Sequence, residues 1–174
     1  MDKFKTRLIH LVSLCSDYCV TLENASSMER TELVATLLGY LPRIYFEFHD
    51  IPVPEDASID EWSVPLASHL DEDTYESVRH RLAVVMGEHD TYLETFENDM
   101  KYSDTPIAAT ISENLADIFQ PLFNMVVETR ESDGDNMVEA FRECAGDFRR
   151  FWSQTLCNVM RALNALEFNE TDID

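Results

Sequence analysis

Between Thr105 and Arg130 the chain reads TPIAATISENLADIFQPLFNMVVETR. Advancing about 100° per residue, Ile107, Ala108, Ile111, Leu115, Ile118, Phe119, Leu122, Phe123, Met125 and Val126 sweep an apolar arc of roughly 200°. A helix docked on one side of a core needs only about half that width. The segment is therefore expected at the centre of a helical assembly, with neighbours around most of its circumference. Its remaining arc carries one polar line: Glu113, Asp117, Gln120, Asn124 and Glu128.

Helical spacing governs most of the chain. Phe4, Leu8, Leu11, Cys15, Tyr18 and Leu22 recur at steps of three and four and predict a first helix over residues 2–22. Leu33, Leu37, Leu41, Ile44 and Phe48 predict a second over 28–48, capped by Ser26 or Ser27 and kinked near Pro42, whose missing amide breaks the bond to Leu38. Residues 49–70 lose the period and form an acidic connection containing Pro52, Pro54 and Pro65. Asp71 to Thr74 suit the positive end of a third helix, which Gly87 ends or bends. A shorter helix is expected from His89 to Lys101. Thr105 as cap and Pro106 in the first turn then open the central helix, kinked near Pro121. Ser132 to Asp135 read as a turn, and one long helix follows over 136–166. No strand-like alternation stands out. The expected fold is a single all-α domain, residues 1–166, a bundle of five to six helices with a polar tail at 167–174.

Composition narrows the function classes. A length of 174 residues, with 45% hydrophobic content, suits one domain with an ample core. Thirty-four acidic against 13 basic residues give a net charge of −21, which disfavours nucleic acid and anionic membranes and permits basic partners or cations. Apolar runs stop at five residues, Leu82 to Met86, too few to span a bilayer. His10 and Asp17 interrupt the only stretch resembling an export signal, so a cytoplasmic location is expected. Cys15, Cys19, Cys144 and Cys157 sit in or beside apolar faces without any C-x-x-C spacing, and read as reduced thiols.

Motifs with chemistry are sparse. The four isolated glycines exclude Gly-rich phosphate loops. No histidine follows a glutamate by three residues, which excludes the standard di-iron bundle site. Two His-Asp dipeptides end apolar helical stretches, and Glu47 and His49 together with Glu88 and His89 have the ligand types to hold a divalent cation if they converge. Histidine near a helix C-terminus equally suits the negative end of the dipole. The polar line poses a second question. If the central helix is enclosed, Glu113, Asp117 and Gln120 need partners, because a buried unpaired carboxylate is costly. Arg142 and Arg149, seven residues apart on one edge of the last helix, are the candidates for an interhelical seam; otherwise both sets face water.

These residues carry a family likeness. Ser112 to Leu122 (SENLADIFQPL), Leu41 to Tyr45 (LPRIY), Arg81 to Phe96 (RLAVVMGEHDTYLETF) and Ala140 to Leu166, in that order, resemble bacterial domain-of-unknown-function family 5063. The pattern S-x-x-DLADIY-x-DL is altered here by Asn114 and Pro121, each standing for an Asp, and Asn164 or Ala165 stands where a His is expected. The resemblance implies an all-helical bacterial protein and implies no activity. The sequence favours a non-enzymatic interaction or adaptor module without cofactor, acting on a protein partner, and its wide apolar faces are compatible with a homodimer. A small-molecule or divalent-metal binding bundle, catalytic in one version, is the alternative. Acidic mimicry of nucleic acid rests on net charge alone.

Overall fold

The computed structural model describes residues 3–53, 66–94 and 107–169. Their order is α1 (Lys3–Glu23), α2 (Arg30–Asp50), α3 (Glu72–Met86), β1 (Thr91–Glu94), β2 (Ile107–Thr110), α4 (Ile111–Glu131), α5 (Met137–Asp147), a π-helical turn (Phe148–Trp152) and α6 (Ser153–Phe168). The architecture is an all-α bundle carrying one small hairpin. As its apolar arc requires, α4 packs against α1, α3, α5 and α6. Leu115, Ile118, Phe119 and Leu122 are inaccessible to solvent, each contributing about 1.5–3 kcal/mol by burial. Tyr18 of α1 is also fully buried and donates its hydroxyl to the Leu115 carbonyl at 3.0 Å. Pro42 and Pro121 both lie inside uninterrupted helices.

The second anchor is aromatic. Phe48, near the end of α2, meets Phe141 at 5.8 Å, Phe148 at 5.5 Å and Trp152 at 4.9 Å between ring centroids. The pair with Trp152 is edge-to-face, the arrangement that ring quadrupoles prefer. This cluster ties α2 to the junction of α5 and α6. The predicted single last helix runs through that junction without a break, but with a π turn inserted between α5 and α6. Phe148 to Trp152 take a π turn, which buries Phe148 and Trp152 and leaves Phe151 67% exposed.

The structure corrects the sequence reading between α3 and α4. Where a helix is expected from His89, residues 91–94 are extended, and the rest of the expected span lies outside the described residues. A short 3-10 turn at Gly87–His89 leads instead into β1, which pairs antiparallel with β2 through Thr91↔Thr110 and Glu94↔Ile107. Phe96, Met100, Thr105 and Pro106 lie outside the described residues. With Ile107–Thr110 extended, α4 begins at Ile111 under a different cap. The Thr110 hydroxyl accepts the Glu113 amide at 3.3 Å, and Asp90 arrives from across the hairpin. Its backbone carbonyl accepts Ile111 N–H at 2.8 Å, while its two carboxylate oxygens accept the amide and hydroxyl of Ser112 at 2.8 and 2.7 Å. Free amides at a helix start need such acceptors. Asn114, buried on the next turn, donates to the Tyr92 hydroxyl and to Glu94 Oε1. Arg161 of α6 donates to the Leu93 carbonyl. The hairpin is thus clamped to two helices by polar contacts.

Smaller differences follow the same logic. Chain entry to α2 passes through Glu29 in extended conformation, with Ser27 turned back on Asn24 rather than capping the helix. The other end of α2 runs to Asp50, two residues past the predicted stop. Asp71 caps α3 as expected, accepting Thr74 N–H at 2.7 Å.

Two substitutions test these anchors. Phe48→Ala should lower unfolding free energy by about 3–5 kcal/mol, the cost of emptying a buried aromatic site, measured by urea denaturation. Asp90→Ala should cost about 0.5–2 kcal/mol and selectively raise amide exchange at Ile111 and Ser112; unchanged exchange there would show that the cap is dispensable.

Candidate functional site

The polar line of α4 leaves the core on the side where α3, the 66–70 segment and α5 meet. Glu113, Asp117 and Gln120 are exposed. Asp117 nonetheless has a firm partner, the Tyr75 hydroxyl of α3, which donates to its Oδ1 at 2.7 Å. Half-burial and the adjoining Asp117 carboxylate push the Tyr75 hydroxyl above the usual tyrosine range, so it stays a donor at any physiological pH. Two turns further on, Asn124 Oδ1 accepts the backbone amides of both His69 and Leu70, at 2.9 and 3.0 Å. Glu128 then accepts from Asn136 Nδ2 at 2.6 Å, and its other oxygen lies 2.7 Å from His69 Nε2. These donors hold the Glu128 carboxyl below the ordinary glutamate range.

The arginine seam does not form. Arg142 pairs with Glu139 one turn away on its own helix at 2.5 Å, and Arg149 is exposed on the π turn. Arg149 and Arg150 both face outward on the π turn, and the groups meeting the α4 line come from α3, the 66–70 segment and Asn136 at the start of α5. The proposed cation ligands do not gather either. Glu47 is bound to Arg7 of α1 at 2.8 Å, with Asp50 on the same guanidinium, and His49 stacks on Tyr45. Glu88 and His89 line a separate groove with Glu29 and Val85. Among the described residues, no three His, Cys, Asp or Glu side chains lie close enough to hold a metal ion.

Beside the polar line the surface opens into two adjoining hollows that share Pro121, Asn124 and Asp147 as a common wall. The wider has a volume of about 400 Å³ and lies between Asp117 and Gln120 of α4 and Phe151, Trp152 and Thr155 beyond α5. The narrower, about 110 Å³, is bounded by Leu66, Glu128, Glu143 and Cys144. Pro121 leaves α4 without an amide facing Asp117, and the π turn brings Phe151 and Trp152 to the opposite wall. Asp147 is also held by Arg150 at 2.9 Å. Trp152 is 3% exposed, and among the described residues its indole N–H has no hydrogen-bond acceptor.

Asp117 and Gln120 are the sequence candidates that reach this cleft. Asn124 and Glu128 belong to the same line, and helical phase alone selects them. His69, Glu143, Asp147 and Trp152 carried no such signal. Phe151 did: an aromatic beside Trp152 that is out of step with the apolar stripe marks an exposed ring.

Fold and cleft define a helical-bundle protein with two adjoining acidic surface hollows beside its central helix. The chain belongs to the family described as domain of unknown function DUF5063, whose pattern matches residues 2–169. It is also similar to the crystal structure of protein BF1032 from Bacteroides fragilis, with 29% identity, a TM-score of 0.81, and coverage of 99% of this chain and 98% of that one. No curated protein matches. Among the described residues, no helix is long and apolar enough to cross a membrane.

Glu143 offers a pH test of the cleft's electrostatics. Partial burial, then the carboxylates of Asp147, Glu139 and Glu128, raise its carboxyl above the ordinary value, opposed by the Leu66 amide it accepts. A folded-state value above the unfolded one means that ionisation costs stability, and the cost grows as pH rises through the folded value. Glu143→Gln should therefore raise the urea midpoint of unfolding at pH 7, by a small amount because solvent screens this largely exposed group. The gain should vanish in acid below the ordinary glutamate range. A gain that persists at low pH would assign the effect to packing instead.

Proposed function

We propose that the protein is a non-enzymatic binding module that engages a protein partner through the two-lobed cleft. The observation that carries this reading is how the cleft's carboxylates are held. Asp117 is fixed by Tyr75, Glu128 by Asn136 and His69, and Asp147 by Arg150. Groups restrained by donors in this way present a fixed charge pattern for recognition. The hollow has the dimensions of a ligand site, with an exposed aromatic at its edge and polar groups converging on it. The net charge of −21 favours approach by a basic partner.

Filling the wider lobe tests the reading. Thr155→Trp places a large side chain at its wall. Affinity capture from the protein's own cells, with wild-type and variant bait of equal thermal stability, should enrich a protein with wild type that the variant fails to retain. Identical capture by both baits, or saturation by a small cellular molecule that excludes protein binding, would overturn it.

A further inference from the structure

We propose that residues 66–70 are a proton-operated strap: protonated His69 ties them across α4, and loss of that proton loosens the wall of the narrower hollow. The strap belongs to this chain alone and needs no occupant in the cleft. His69 lies against α4 with a carboxylate at each ring nitrogen. Glu128 Oε2 is 2.7 Å from Nε2, and Glu131 Oε2 is 3.5 Å from Nδ1. A neutral imidazole has one N–H and one lone pair, so one of these contacts would set a lone pair against a carboxylate. Only the imidazolium donates to both. The side chains of His69 and Glu128 are 16% and 13% exposed, and a pair so enclosed is screened little by salt.

The charged groups that face the ring are Glu128 and Glu131 of α4; among the described residues neither has a lysine or arginine partner. From the start of α5 comes only the uncharged Asn136 amide, donating to Glu128 Oε1. Asn136 and then His69 keep the Glu128 carboxyl below the ordinary glutamate range, so it stays ionised where a histidine titrates. Asp71, two residues along, turns to the Thr74 amide instead. The strap has few other fastenings. Asn124 accepts the amides of His69 and Leu70, Glu143 of α5 accepts that of Leu66, and Leu70 alone of the five residues is buried. Leu66, Ala67 and Ser68 line the narrower hollow, so the residues that His69 fastens are those that bound it. A fastened form that holds the proton better than the loose one is strongest in mild acid and weakens as pH rises through the histidine range.

Hydrogen exchange of backbone amides in the full-length protein tests this, followed by NMR from about pH 5 to about pH 8, with each rate divided by its intrinsic value at that pH. Protection of the His69 and Leu70 amides should fall about tenfold as pH rises, as expected when a hydrogen bond to a charged group is given up. Protection of Leu11 in α1 should stay constant. His69→Gln keeps a donor but cannot titrate, and its profile should be flat. Glu143→Gln removes the other titrating contact of the strap and should keep the wild-type profile. Flat protection in wild type, a fall shared by Leu11, the same fall in His69→Gln, or a flat profile in Glu143→Gln would each overturn the proposal. Comparison of the strap with Leu11 needs only wild-type protein, so it decides even where a variant fails to fold.

Discussion

Enclosure of α4 is the constraint on which the rest of the structure depends. A helix packed against α1, α3, α5 and α6 can keep polar side chains only where something meets them. Four polar groups along α4 show how this is met. Ser112 turns to Asp90, Asn114 to Tyr92 and Glu94, Asp117 to Tyr75, and Asn124 to the amides of His69 and Leu70. The partners come from the hairpin, from α3 and from the segment before α3. One helix thereby fixes the positions of three separate stretches of chain. It does so largely through hydrogen bonds, which add direction to apolar packing that has little of its own.

Much of this was legible because helical phase is a strong signal. An arc of about 200° on one segment required a surrounded helix, and the steps of three and four in α1, α2 and α3 required an assembly around it. Asp71 announced the start of α3, and Gly87, at a φ of 58°, ended it. The hairpin escaped because four residues per strand are too few to show alternation, and Ile107 and Ala108 sit in helical phase with Ile111. Its capping residue is 22 positions away from Ser112, a distance that local pattern cannot bridge.

The cleft was half legible for a related reason. Asp117, Gln120, Asn124 and Glu128 share a line that geometry alone predicts. Their counterparts across the hollow depend on the π turn at Phe148–Trp152, which the periodicity conceals: Phe148, Trp152, Leu156 and Val159 keep spacings that an unbroken α-helix also allows. Such turns are rare and concentrate at functional sites. Here the turn sets an exposed ring and a buried indole side by side. Partner choice for the carboxylates was equally hidden. Arg142 was one candidate to cross to α4, but a glutamate one turn away on its own helix is the nearer acceptor, and forming that pair orders only one element of chain.

The cysteines divide along the same boundary between core and surface. Cys15, Cys19 and Cys144 are buried with their thiols held protonated by desolvation, whereas Cys157 is exposed on α6. Partial burial raises the Cys157 thiol too, but it alone is open to solvent; reaction requires access as well as thiolate, so the folded protein offers chemistry at one sulfur and withholds it at three. The molecule therefore carries a natural attachment point, two residues beyond Thr155 in the cleft wall. A dye or spin label can be placed there without altering the sequence, and the three silent sulfurs become countable only when the core opens.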